Sequence, residues 1–309
     1  MHTPLIIAFT PNYFVPAATT LRSLLDSSSA DDCYEVICLV SEEIPQRQKD
    51  KLSALSGERI RYRYINLAGR LQGVYVDPRY SEAASFRLLL PEILPEYDKV
   101  LYIDCDVIIR NNLAALYRDT DLGDNLLAAV YEAPIEHQGE RWAALGCDPH
   151  RYFNSGFLMM NLKQMRLEGT SRKLIDGLKS DYLEFPDQDV LNQVCQNRVL
   201  ALKPTYNSIR TFFLPQYKAD FLKQYSESDW DEVQKHGTIH YTGGKPWNIL
   251  SVKFGEWWKT YQSLPDYIQS EWTLNRKIYI IWHVYRTALG RVIIDLSRAS
   301  LRTFKLLFK

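Results

Sequence analysis

Short apolar runs alternate with longer amphipathic segments along this chain, and the alternation predicts strands and helices in turn. Leu5–Phe9 is an apolar run that ends at Thr10-Pro11-Asn12-Tyr13, the pattern of a strand followed by a loop. Pro16 opens a segment with Leu21, Leu24 and Leu25 on one side, which predicts a helix. Tyr34–Val40 reads as the next strand and Gln46–Leu55 as a helix that Gly57 ends. Arg59–Ile65 alternates polar and apolar residues like a strand with one exposed face. Ser81–Leu90 predicts a helix, and Lys99–Ile103 a strand covered on both faces, being too short and too apolar for anything else. Further strands are expected at Leu126–Glu132 and Phe153–Asn161. Helices are expected at Leu167–Leu183 and, behind Pro186, at Asp187–Cys195. Tyr206–Tyr217, aromatic and punctuated by proline, is expected to be irregular. The order argues for an α/β fold with a mostly parallel sheet flanked by helices.

Composition adds a large core, since 309 residues with 46% hydrophobic content can bury one. The five cysteines (Cys33, Cys38, Cys105, Cys147, Cys195) are scattered and lack a C-x-x-C pair. That argues against a disulfide framework or structural zinc and for reduced cytosolic thiols. MHTPLIIAF has neither the basic stretch nor the apolar length of a secretory signal, so a cytoplasmic location is expected.

Charge changes the picture at the carboxyl end. The formal net charge is zero, yet residues 276–309 hold eight basic side chains against Asp295 alone, a net +7 that the other 275 residues balance. Composition turns polar around Pro265–Asn275, so two units are expected, 1–265 and a basic, aromatic segment 266–309. As a helix, Arg291, Asp295, Arg298, Arg302, Lys305 and Lys309 follow one face, with Val292, Leu296, Ala299, Thr303, Phe304 and Leu307 towards the other. Ile278–Tyr285 adds apolar anchors, but Arg286 and Arg291 cut the run below the roughly 20 residues that span a bilayer. An amphipathic helix lying on an anionic membrane surface, at the inner face of the cytoplasmic membrane, is therefore expected. Packing of the basic helix on the acidic body is the alternative, and nucleic acid is not an expected partner.

Candidate chemistry begins where the strand Lys99–Ile103 stops. Asp104 and Asp106, two apart, point to one side if the extended geometry continues, and two carboxylates at the end of a parallel strand suit a hard divalent cation with open positions for phosphate oxygens. The plainer reading is that they open a turn and cap Asn112–Tyr117. Arg87 lies between Phe86 and Leu88 on an apolar helix face, which is costly without an anionic partner. Asn154, followed by Ser155 and Gly156, offers both donor and acceptor with room beside it. His240 stands three residues before Gly243 and five before Lys245, and glycine with a point charge fits a diphosphate clamp. Asp187 and Gln188 can hold sugar hydroxyls, whereas Asp187 and Asp189 at a helix start can also both be caps.

YIDCDV, YFNSGFLMMNL (152–162), FPDQDVLNQV (185–194), IHYTGGKPW (239–247) and Arg87 in ASFRLLL, in this order and spacing, resemble glycosyltransferase family 8. The resemblance runs from about residue 5 to 250 and is strongest to its bacterial lipopolysaccharide galactosyl- and glucosyltransferases, to which DTDLGDN at 119–125 adds. It implies a GT-A type, Rossmann-like fold and a retaining transfer of galactose or glucose from a UDP-hexose to an oligosaccharide or lipid-linked acceptor, in lipopolysaccharide-type assembly. It implies Mn2+ or Mg2+ held by Asp104, Asp106 and His240. Arg87, Cys105, Asn154, Ser155, Gly243 and Lys245 fall among the implied donor contacts, and Ala8, Thr10, Asn12 and Tyr13 match the nucleotide-base loop. Relatives often have Asp where this chain has Thr10. Asp187 and Gln188 are placed beside the donor sugar, and Glu132, where close relatives often have Asp, beside the acceptor. Retention by front-face attack is expected, with Asp187 as a covalent nucleophile the alternative. A haloacid-dehalogenase-like phosphatase, or a non-catalytic sugar-binding adaptor on the same fold, are the rival functions.

Overall fold

The computed structural model describes residues 2–74, 81–135, 137–180 and 182–294. Nine strands are defined among them: β1 (Thr3–Phe9), β2 (Tyr34–Val40), β3 (Ile60–Asn66), β4 (Lys99–Ile103), β5 (Val107–Ile108), β6 (Leu127–Tyr131), β7 (Phe153–Asn161), β8 (Val199–Ala201) and β9 (Ile239–His240). Seven form one sheet in the order β3-β2-β1-β4-β7-β6-β8, and β5 pairs with β9 in a separate ribbon. β7 runs antiparallel to both its neighbours, while the other pairings of the sheet are parallel. The expected mostly parallel α/β sheet is therefore observed, in its mixed, GT-A form. Leu5, Ile7 and Phe9 face one apolar core and Ile6 faces the other. Both faces of the sheet are covered by helices and loops, which is why its strands read as continuous apolar runs.

Helices follow most expected segments, with physical reasons for the differences. The first spans Phe14–Ser27, starting two residues before Pro16. Glu82–Leu89 is a 3-10 helix that passes into a short α-helix at Leu90–Ile93, instead of one α-helix. The helix expected over Leu167–Leu183 is observed only at Thr170–Gly177, and Gly169, in a left-handed conformation (φ 63°), separates it from a preceding helix at Leu162–Leu167. Asn112, not the aspartates upstream, caps Leu113–Asp119 by accepting from the Ala115 N–H at 2.9 Å.

The chain beyond residue 250 returns to the same core. Phe254–Gln262 is a helix with Trp257, Trp258 and Tyr261 buried, and Asp266–Gln269 and Arg276–Tyr285 follow it. Ile268, Ile278 and Trp282 are buried in the cluster that also contains β1, and Trp282 stacks on Trp258 with centroids 6.1 Å apart. Residues 266–285 are thus packed against the rest of the molecule. On their outer side Ile280 and Val284 are exposed, as are Leu289, Val292 and Ile293 further on. Most of the basic face expected at 291–309 lies outside the described residues. Among the described residues no helix is long and apolar enough to cross a membrane.

Candidate active site

β4 carries Asp104 to the end of the parallel strands, where its N–H donates to the Gly156 carbonyl at 2.9 Å and so places the start of β7 beside it. Ligand sites in open α/β sheets form at this edge. Immediately afterwards β5 pairs with β9, and the register sets Val107 opposite His240. That pairing brings a histidine from far along the chain onto the two aspartates. His240 Nε2 lies 3.3 Å from Asp106 Oδ1 and 3.7 Å from Asp104 Oδ2, and the three side chains each offer a ligand atom within 4.8 Å of the others.

The remaining carboxylate oxygens are held by the protein. Asp104 Oδ1 accepts from Arg87 Nη2 at 2.9 Å and from the Tyr102 hydroxyl at 3.0 Å, and Asp106 Oδ2 accepts from the Lys245 ammonium. One oxygen of each aspartate is thereby fixed and the other turned towards His240. An octahedral cation with bonds of about 2.1 Å separates adjacent ligands by about 3 Å, which the 3.3 Å from His240 to Asp106 approaches and the 3.7 Å to Asp104 exceeds, so a small inward movement closes the set on an ion. Gly156 provides the space: a Cβ there would stand 2.1 Å from His240 Cε1 and 2.8 Å from Asp104 Oδ2. Two carboxylate oxygens and an imidazole nitrogen suit manganese or magnesium, so these residues fit a divalent metal.

Charge at the site is balanced by the buried cations. Burial works against ionisation of Asp106, but the Lys245 ammonium and then His240 outweigh it and hold the carboxyl below the usual carboxylate range. Burial likewise works against the charge of Arg87, and Asp104 leads the groups that keep the guanidinium firmly protonated. Arg87 also stacks over the Tyr102 ring at 4.2 Å. The anionic partner that makes burial of this arginine tolerable is Asp104, and the guanidinium reaches Asp187 Oδ2 at 3.3 Å as well.

The helix Pro186–Cys195 supplies the other wall. Gln188 Oε1 accepts from Asn154 Nδ2 and from the Ser155 N–H, both at 3.0 Å, while its Nε2 donates to the Tyr152 hydroxyl at 3.2 Å and to Glu132 Oε1 at 3.3 Å. Asp187 Oδ2 accepts from the Ser155 hydroxyl at 3.0 Å. Burial raises the Asp187 carboxyl, and it pushes Glu132 up to about 7. The two acidic residues of this helix start differ in role: Asp189 pairs with Arg141 and accepts from the N–H groups of Glu184 and Phe185 at 3.0 and 3.1 Å, holding the chain that enters the helix, whereas Asp187 turns towards Arg87.

The nucleotide-loop candidates follow β1. Thr10 accepts from the Tyr13 N–H at 2.8 Å, Asn12 is exposed, and the Tyr13 ring meets Trp247 edge-on at 5.8 Å. The Cys105 thiol donates to the Ala8 carbonyl at 3.4 Å, so the end of β1 lies against the aspartate turn. Gly243 has φ 81°, a conformation that favours glycine, and the loop it shapes delivers Lys245, which also donates to the Tyr241 carbonyl at 2.9 Å. Three residues that sequence reasoning did not single out complete the group: Tyr102, Tyr152 and Asn207. Both tyrosines are buried, and Tyr102, within the apolar run of β4, carries no sequence signal separate from core residues.

The chain is similar in sequence and in fold to known proteins. The family model described as Glycosyl transferase family 8 matches residues 4–250. The lipopolysaccharide 1,2-glucosyltransferase of Escherichia coli K12 is 30% identical over 211 residues, 65% of this chain and 60% of that protein. The glycosyltransferase GlyE of Streptococcus pneumoniae is 28% identical over 270 residues, 84% of this chain and 61% of that one. The chain thus spans about 60% of the length of these relatives. Among solved structures, the galactosyltransferase LgtC in complex with donor and acceptor sugar analogues superposes with a TM-score of 0.71 at 26% identity, over 87% of this chain and all of LgtC. With the family model covering residues 4–250 and lipopolysaccharide glycosyltransferases among its relatives, this chain belongs to glycosyl transferase family 8.

Proposed function

We propose that the protein transfers galactose or glucose from a UDP-hexose to a hydroxyl of an oligosaccharide or lipid-linked glycan acceptor, in lipopolysaccharide-type assembly, with an α-linkage retained. The observation that carries the reading is the convergence of Asp104 Oδ2, Asp106 Oδ1 and His240 Nε2 beside Lys245 and the Asp187-Gln188 pair. A manganese or magnesium ion held there supplies Lewis-acid compensation of the charge on a departing diphosphate. Lys245, on its glycine-bearing loop, adds a second positive charge on the same side. The Tyr13 turn, against Trp247 of that loop, is suited to the nucleotide base.

Given the retention that the family resemblance implies, the engagement of the sugar-side groups bears on its route. Gln188 Oε1 already accepts two hydrogen bonds, and Asp187 faces Arg87 and Ser155. Neither is an uncommitted nucleophile, which favours front-face attack with a phosphate oxygen of UDP taking the acceptor proton. Glu132, buried and bonded to Gln188, borders the same space and is assigned to the acceptor. We also assign the exposed apolar side chains of 280–293, continued by the basic residues to Lys309, to an anionic membrane surface at the inner face of the cytoplasmic membrane.

The test is UDP release from a panel of UDP-sugars with manganese present. One UDP-hexose should be turned over, and excess chelator or Asp106→Ala should abolish nearly all of that turnover. Full activity in chelator, or no UDP released from any UDP-sugar, would overturn the reading.

A further inference from the structure

His240 and Gln188 are joined by a chain of buried amides whose polarity can be worked out from two backbone donors. The Gly156 N–H donates to Asn154 Oδ1 at 3.0 Å, so the oxygen of that amide faces Gly156. Its Nδ2 must then point the other way, where it donates to Gln188 Oε1 at 3.0 Å. The Ser155 N–H donates to the same Gln188 oxygen, which fixes the second amide independently. Asn207 approaches Asn154 Oδ1 at 3.0 Å, and only its Nδ2 can do so, because two oxygens would repel. Asn207 Oδ1 is therefore the atom 2.9 Å from His240 Nδ1, and an amide oxygen can only accept. Nδ1 must carry a hydrogen, and Nε2 is the nitrogen aimed at Asp104 and Asp106. Asn207 is 1% exposed and sits on the segment whose Ser208 carbonyl accepts from the His240 N–H at 3.0 Å, so backbone and side chain hold the histidine together.

We propose that Asn207 is a positioning residue: it fixes the ring orientation and tautomer of His240 and ties that ring, through Asn154, to Gln188, so that metal site and sugar site form as one hydrogen-bonded unit. The inference rests on the metal-dependent reading above. It adds that a residue touching neither metal nor sugar controls both. Partners of metal-bound histidines act in this way, and their loss typically lowers metal affinity or activity by about 10- to 100-fold.

Two substitutions separate the two connections. Asn207→Ala removes both the acceptor for Nδ1–H and the donor to Asn154. Asn207→Asp, at pH 8, keeps an acceptor for Nδ1–H but sets a carboxylate oxygen against Asn154 Oδ1. Mn2+ affinity is measured on the whole protein by electron paramagnetic resonance titration, and kcat at saturating Mn2+ by UDP release. Asn207→Ala should bind Mn2+ about 10- to 100-fold more weakly. Asn207→Asp should bind Mn2+ nearly as tightly as the wild type yet lose at least about tenfold in kcat, a split that a merely structural role would not produce. Unchanged Mn2+ affinity in the alanine variant, or unchanged kcat in the aspartate variant, would overturn the proposal. A wild type that binds no Mn2+ would overturn the metal reading and this inference with it. Weaker Mn2+ binding by the alanine variant, without UDP release from any UDP-sugar by the wild type, would leave the Asn207 assignment standing and remove the transferase.

Discussion

Gly156→Ala is the most direct steric probe of the site. The added methyl would lie 2.1 Å from His240 Cε1 and 2.8 Å from both His240 Nδ1 and Asp104 Oδ2. Carbon atoms in contact sit about 3.5 Å apart or more, so the ring has to retreat by roughly 1.4 Å. Gly156 sits at a register shift of β7 against β6, but its carbonyl is held by the Asp104 N–H and its N–H by Asn154 Oδ1, so a backbone that yields instead gives up contacts of the same site. A ring displaced that far breaks the 2.9 Å contact with Asn207 and pulls Nε2 away from the aspartates. Losing a buried hydrogen bond costs about 1–3 kcal/mol and overpacking about 1–3 kcal/mol, so about 2–6 kcal/mol is lost in all. If half of the middle of that range falls on metal binding, Mn2+ affinity drops by about 30-fold, since about 1.4 kcal/mol is one decade. Paramagnetic resonance titration of Mn2+ and a thermal melt read the two consequences. A variant with wild-type melting temperature and wild-type Mn2+ affinity would refute the steric argument and, with it, the assignment of His240 as a ligand.

Glu132→Gln tests the buried carboxyl by pH. Its folded value of about 7 lies above the ordinary 4.5, so the folded state holds a proton that the unfolded state releases in between, and stability falls as pH rises through that window. The shift corresponds to about 3 kcal/mol, and the amide variant should melt higher than the wild type at pH 8 while differing little at pH 4.5; parallel melting curves from pH 4.5 to 8 would reject this. Truncation tests the carboxyl end: a chain ending at Asn275 uncovers Phe254 and Trp258 by removing Ile278 and Trp282, which at about 1.5–3 kcal/mol each should lower the melting temperature clearly. A chain ending at Arg286 keeps those contacts and should melt like the full chain but lose sedimentation with anionic liposomes; equal liposome binding by the two would discard the membrane assignment.

Much of this was legible from periodicity, because continuous apolar runs such as Val100–Ile103 and Ile37–Val40 have few alternatives to a doubly covered strand. Element ends were less so. Gly169 breaks a helix that its neighbours' composition favours, and the 3-10 geometry of Glu82–Leu89 has no signature that separates it from an α-helix. At the site, charged residues in apolar settings were readable: Arg87, Asp104, Asp106 and Asp187 are costly to bury apart, and the structure brings them together. Asn207 was not readable. An asparagine before a serine in an irregular segment looks like any turn residue, and its role depends on the register between that segment and β9, set by Ser208 bonding to His240 and bridging to Ile239.

The same dependence on long-range packing explains why the carboxyl end is not simply an appendage. Trp247, two residues after Lys245, stands between Tyr13 of the turn that follows β1 and the rings of Trp257 and Trp272, at 5.8, 5.2 and 5.7 Å. Trp257 continues to Tyr261 and Trp258, and Trp258 to Trp282. Glu271, from the same segment as Trp272, is ion-paired to Arg47 and Lys51 on the helix Gln46–Ser56. The loop that presents Lys245 to Asp106 is therefore backed by aromatic side chains from beyond residue 250. Polar composition around Pro265–Asn275 suggested a boundary because it registers only local sequence, whereas Trp272 within that stretch and Trp282 beyond it are fixed by rings that the chain folds back to meet.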